Sequence, residues 1–244
     1  MWSKSYIIGN VISLTLFATI VRTALNLDSV ETLLADYGTY HQDRKNQLIH
    51  FFGVPMILWS ALICLAHIDL PFIFKFIHIP SVLPWIPSHP INWATIFTIF
   101  YVVFNCHLDP FGGTAYVGVL YPMYASAIRL TALDRDQSNV NQRRKKTIPA
   151  KQNMKSLKLA IFIHLSGWYV QIHPGHMIFE GAKPALAESM GMALTAAPLF
   201  AFYEGLWLFG VNESLQDDTL KLIQLKTQTL CSNGEKMRIC ATYE

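Results

Sequence analysis

Two short stretches hold the side chains best suited to chemistry. Residues 37–55 read YGTYHQDRKNQLIHFFGVP, which sets His41, Asn46 and His50 at the edge of a long apolar run. Residues 171–186 read QIHPGHMIFEGAKPAL and add His173, His176 and Glu180. Imidazoles, amides and carboxylates are costly to place beside hydrocarbon unless something binds them. Neutral imidazole is a good ligand for Fe, Zn or Cu, so three or four such rings brought together would form a metal site. The bland alternative is a set of interfacial histidines, with Asn46 and Glu180 capping helices.

Spacing limits how these residues can meet. His41 and His50 are nine apart, which at roughly 100° per residue puts them on opposite faces of one ideal helix. A bend in the polar QDRKN break between them is therefore required, with one histidine closing a helix and the other opening the next. His173 and His176 would share a face if helical, but Pro174 and Gly175 point to a turn. His67, His78, His89 and His164 read as helix-end or interfacial polar residues, and His107 stays open between that reading and a place in the site.

The elements around these residues are apolar. Hydrophobic residues make up 52% of the 244, charged residues 14% and mean hydropathy is +0.30. A soluble domain carries about 25% charged residues, so the balance points to lipid. Apolar segments fall at about residues 6–21, 50–67, 91–107, 111–130, 157–173 and 192–209. The fold class expected is an all-α, polytopic membrane helix bundle of about five to six spans with a polar C-terminal tail. Residues 1–24 would be an uncleaved N-terminal anchor, since no A-x-A site follows the first segment. Residues 25–211 would form the membrane-embedded domain, and 212–244 a polar, partly amphipathic tail whose apolar residues Leu220, Leu222, Ile223 and Leu225 suggest a surface helix.

Other features are weaker. Residues 26–40 suggest a polar helix capped by Asp28 or Ser29. The proline-rich stretch 69–90 suits an irregular interfacial loop, and Asp109-Pro110 with Gly112-Gly113 a tight turn. Cys64, Cys106, Cys231 and Cys240 form no CxxC pair; Cys231 and Cys240 can pair, but reduced thiols are the default expectation. Asn212-Glu213-Ser214 is a formal sequon of low specificity.

Alternation of spans brings His41, His50, His107, His173 and His176 to one face of the membrane. The basic cluster Arg143, Arg144, Lys145, Lys146, Lys151, Lys155 and Lys158 goes to the other. That cluster has no accompanying nucleic-acid motif, so no nucleic-acid partner is expected; it reads as a cytoplasmic loop under the positive-inside rule, which leaves the histidine face lumenal.

Tyr40, His41, Asn46, Ile49, His50, Val54 and Pro55 resemble the first signature of the 2-hydroxy-fatty-acid dioxygenase family. These are membrane proteins that convert phytosphingosine-derived acids into odd-numbered fatty acids. Gly175, His176, Phe179, Glu180, Pro184, Ala185 and Leu186 resemble its second signature. The resemblance covers roughly residues 25–210. Asp43-Arg44 stands where the family often has Asn-Pro, and the run from Gln171 to Gly175 is one residue longer.

The resemblance implies an Fe(2+)-dependent dioxygenase in the endoplasmic reticulum membrane, multi-pass, which uses O2 to shorten a 2-hydroxy fatty acid by one carbon. His41, His50, His176 and His173 would then be iron ligands. Glu180 would be a ligand or, by preference, a partner to the His176 ring, and Asn46 would position a histidine or bound oxygen. Lys183, or Arg44 with Lys45, could attract the acid head group, although interfacial snorkelling explains each of them as well. The rival is a non-enzymatic membrane lipid-binding or assembly protein. A di-iron desaturase or hydroxylase is disfavoured, because the chain has no His-His pair.

Overall fold

The computed structural model describes residues 4–26, 29–71, 74, 76–81, 86–144, 154–181, 190–234 and 240. Lys145, Lys146 and Lys151 of the basic cluster, Asp28, and the stretch with Lys183, Pro184, Ala185 and Leu186 lie outside the described residues. Among the described residues there are eight α-helices. These are α1 (Lys4–Ala24), α2 (Val30–Gly38), α3 (Arg44–Ala66), α4 (Trp93–Leu108), α5 (Pro110–Arg144), α6 (Lys155–Val170), α7 (Met190–Trp207) and α8 (Glu213–Ser232). A π-helix, Gln171–Glu180, runs on directly from α6. The all-α class holds. The only regular strand pairing among the described residues joins β1 (His78–Ile79) to β2 (His89–Pro90) within the proline-rich stretch.

The expected five to six spans are not all supported by helix length. Among the described residues, only α1 and α3 are long and apolar enough to cross a membrane, and α4 is apolar but has 16 residues. The apolar segment ending near Leu130 does not stop there; α5 continues to Arg144 and spans 35 residues.

The central helices alternate in direction. The Trp93 N–H donates to the Ile68 carbonyl, so α4 begins where α3 ends. At that same end Asp134 of α5 accepts from Ser156 N–H (2.9 Å) and Ser156 Oγ (2.6 Å), capping the start of α6. At the opposite end Asp109 alone breaks the helix between α4 and α5. Gly112 and Gly113 are helical rather than part of a turn, and a Cβ on Gly113 would run into the α4 backbone at Asn105 and Cys106. The close crossing explains that glycine.

Leu62, Ile63, Ala94, Leu120 and Ile128 lie at the centre of the larger core, between α3, α4 and α5. A second core joins Leu33, Leu34 and Tyr37 of α2 to Leu199, Phe200 and Tyr203 of α7. The C-terminal helix closes over α2, and of the four apolar residues singled out in the sequence only Ile223 is buried. Leu215, Thr219, Ile223 and Thr227 are its buried stripe, whereas Leu220 and Leu225 are exposed. An i, i+4 stripe containing two threonines is invisible to a count of apolar residues. Lys226 pairs with Asp36 at 2.6 Å across this contact. Cys231 and Cys240 form a disulfide rather than remaining reduced, joining the end of α8 to the chain beyond it.

Candidate metal centre

His41 and His50 meet because the chain bends between α2 and α3. Ser29 caps α2, as expected, by accepting from Thr32 N–H. The helix ends at Gly38, and His41 follows in a tight connection whose N–H donates to the Gly38 carbonyl. Asp43 then opens α3, its Oδ1 accepting from Lys45 N–H (2.8 Å) and Asn46 N–H (3.2 Å). A carboxylate at that position satisfies donors that a helix start leaves free. His50 falls in the second turn of α3. The required bend is thus shorter than the QDRKN run, most of which is already helical.

The third histidine arrives on the π-helix. Pro174 and Gly175 do not make a turn; residues 171–180 stay helical with a wider repeat. The Gly181 N–H donates to the His176 carbonyl at 2.8 Å, an i to i+5 bond, and Gly181 ends the element at φ 65°. The buried set is Gln171, Gly175, His176 and Glu180, spaced by the wider turn. Gly175 permits the approach: a Cβ there would lie 2.6 Å from Asn46 Oδ1. Gly53 and Gly167 serve the same packing, each meeting a side chain of the facing helix at 2.7 Å if given a Cβ.

His41, His50 and His176 converge, with their nearest ring nitrogens all within 4.8 Å of one another. Each is 2–3% exposed. Carbonyls only accept, so the Nδ1–H of His41 donates to Tyr37 O (2.8 Å) and that of His50 to Asn46 O (3.0 Å). These bonds fix both tautomers and leave the Nε2 lone pairs free. His41 Nε2 and His176 Nδ1 are buried without a protein partner. Burial, reinforced by the neighbouring His50 and His176 rings, pushes the His41 imidazole well below its ordinary range, so it stays neutral. Tyr37 stacks flat on it, with centroids 3.9 Å apart. Three converging imidazoles, two of them with a buried nitrogen that has no protein partner, fit a transition-metal ion.

Glu180 and Asn46 are beside the cluster. Glu180 Oε1 accepts from Gln42 N–H (2.8 Å), and Oε2 from Asp43 N–H (2.9 Å) and Asn46 Nδ2 (2.9 Å). Its carboxylate therefore ties the π-helix to the turn that carries His41, and its hydrogen bonds go there rather than to the His176 ring. Asn46 Oδ1 is buried without a partner. The structure does not bring His173 to the cluster; it is exposed and stacks on Tyr169, with centroids 5.4 Å apart. His107 is exposed at the end of α4. Lys45 lies over the Phe179 ring at 5.2 Å.

The cluster sits at one end of a cavity of about 640 Å³. Along α3 its wall runs from His50 through Val54, Ile57 and Leu62 to Leu65, about 22 Å of helix. Leu16 and Ile20 of α1 form part of the opposite wall, and Gln171 lines it beside the histidines. Spacing did not single out Gln171 or Tyr37. Neither carries a motif, and a 3.6-residue period does not align Gln171 with His176.

No solved structure matches the chain. The chain is 25% identical over 197 residues to 2-hydroxy-palmitic acid dioxygenase MPO1 of Saccharomyces cerevisiae (strain ATCC 204508 / S288c), covering 81% of this chain and 91% of that protein. The family model for 2-hydroxy-palmitic acid dioxygenase Mpo1-like proteins matches residues 27–206, which contain all three clustered histidines and most of the cavity wall, and the chain belongs to that family.

Proposed function

We propose that this protein is an Fe(2+)-dependent, membrane-embedded dioxygenase that converts a 2-hydroxy fatty acid into the acid one carbon shorter. The observation that carries the reading is the buried three-histidine cluster at the end of a long apolar cavity, in a chain of this family. The overall change balances: the 2-hydroxy acid and O2 give the shortened acid, CO2 and water.

His41, His50 and His176 would hold the metal. Fe(2+) bound there supplies the redox partner that O2 needs. Tyr37 O and Asn46 O keep two of the rings in the tautomer that presents Nε2. Glu180 and Asn46 hold the His41 turn against the π-helix, which fixes the spacing of the three rings. The apolar walls take the hydrocarbon tail and keep bulk water from the reacting end.

The exterior supports a membrane location. Leu48, Phe52 and Met56 make an exposed i, i+4 row on α3, and Phe162, Leu165 and Tyr169 a similar row on α6. Such surface is unfavourable in water and neutral in hydrocarbon. We take the protein to be multi-pass and resident in the endoplasmic reticulum, with the histidine end lumenal.

The test is O2 uptake by the detergent-purified protein loaded anaerobically with Fe(2+), on addition of a long-chain 2-hydroxy acid. Uptake with formation of the acid one carbon shorter, lost in His176→Ala, is expected. No uptake together with no iron binding would transfer the case to a non-enzymatic lipid-binding or assembly protein.

A further inference from the structure

Gln171 is 4% exposed and lines the cavity next to His50 and His176. It stands one π-turn before His176, so both side chains leave the same face of that element. Its Nε2 is buried with no acceptor, packed against Gly53, one turn of α3 beyond His50. A buried amide left unpaired costs about 1–3 kcal/mol. Val54, Ile57, Leu165 and Ile172, which line the same cavity, offer no acceptor side chain. The last side-chain torsion of glutamine is broad, so the N–H2 can turn into the cavity without moving the backbone.

We propose that Gln171 is a substrate-binding residue whose side-chain amide donates a hydrogen bond to the carboxylate of the fatty acid, at the junction between the apolar cavity and the histidines. This rests on the reading of the cavity as a fatty-acid site. Among the described residues lining the cavity, Gln171 and Ser13 of α1 are the side chains outside the histidine cluster that hold a buried orphan donor, and Gln171 is the one that shares the π-helix with His176. It is uncharged, so binding needs no buried countercharge in the empty cavity. A carboxylate arriving there gains a donor that no protein group already uses. The carboxyl end is thereby held beside the three rings while the chain runs along α3.

The full-length protein in detergent, loaded with Fe(2+), is titrated anaerobically with a long-chain 2-hydroxy acid. Binding is followed by tryptophan fluorescence, since Trp168 lines the same cavity; KM and kcat are then read by O2 uptake. Gln171→Leu should raise Kd and KM by roughly 10- to 100-fold, the range for a hydrogen bond to a charged group. Iron content should be unchanged and kcat much less affected. Gln171→Glu, nearly isosteric, should weaken binding further by setting carboxylate against carboxylate. The corresponding acid without the 2-hydroxyl should lose the same factor as a competitive ligand, and the methyl ester should lose little. Gln171→Met replaces the leucine variant if that protein fails to retain iron.

Unchanged Kd in the leucine and methionine variants overturns the proposal. So does a loss confined to the 2-hydroxylated acid, which would place the amide on the hydroxyl. If the wild type binds the acid but consumes no O2, the dioxygenase reading fails while the titration still decides the role of Gln171. If the wild type binds neither acid, the cavity is not a fatty-acid site and both readings fall.

Discussion

His176 and His173 are three residues apart and chemically alike, yet one is buried in the cluster and the other stacks on Tyr169 at the surface. On an α-helix they would share a face; on the wider π-helix they do not. His41→Ala, His50→Ala and His176→Ala should therefore each lose tight iron binding and O2 uptake, whereas His173→Ala should keep both. Iron content by elemental analysis after desalting decides this, and iron retained in all three of the first set would remove the assignment. The motifs contain all three histidines that the structure brings together. The separate placement of His173 is not readable in advance, because helical periodicity is inferred from the common 3.6-residue turn and nothing in QIHPGHMIFE declares a different one. Glu180 shows a second limit. Its residue type suggested a partner for a ring nitrogen, but its oxygens take two backbone N–H groups and the Asn46 amide, partners that only tertiary structure supplies. Glu180→Ala would strand those buried donors and let the His41 turn drift, so iron affinity should fall about 10- to 100-fold without loss of any ligand. A competitive chelator titration measures the change.

At the scale of elements, the π-helix and α3 are held together by absences of side chain. Gly175 faces Asn46, Gly53 faces Gln171, and Gly167 faces Ile57. Gly175→Ala should push the π-helix away from α3 and cost about 1–3 kcal/mol of stability, as overpacking does. Because His176 is the next residue, the same variant should also weaken iron binding. Thermal unfolding with and without Fe(2+) separates the two effects, since the iron-induced rise in Tm should shrink more than the apo Tm falls. The helices themselves were legible because long apolar runs flanked by polar caps are a strong signal, and Ser29 and Asp43 cap where helices begin. Their ends were less so. The apolar part of α5 gives way to a polar sequence with no breaker, so hydropathy stops near Leu130 while the helix does not. The buried threonines of α8 escaped for the opposite reason: their methyls pack like apolar groups but are scored as polar.

At the scale of the whole molecule, one cavity extends along α3 from the three histidines toward Leu65. The far region is lined by Ala61, Leu65 and Phe97, and by Leu16 of α1. That helix lies outside the matched residues 27–206 yet forms part of the cavity wall. Cavity length along α3, about 22 Å from His50 to Leu65, would then set which acyl chains fit. Ala61 is small and sits eleven residues beyond His50, roughly 16 Å along the helix, so a larger side chain there shortens the usable space without touching the histidines. Ala61→Phe should shift preference toward shorter 2-hydroxy acids, with KM rising for long chains and little changed for short ones. Each methylene that no longer finds the cavity forfeits about 0.8 kcal/mol, so losing three would cost roughly 2.4 kcal/mol, or about 50-fold in affinity, for the longest acids. Competition between a long and a short acid in one reaction, with products separated by chain length, reads the ratio directly. A uniform loss across all lengths would mean that the chain does not run along α3, and would redirect the tail toward the α1 side of the cavity.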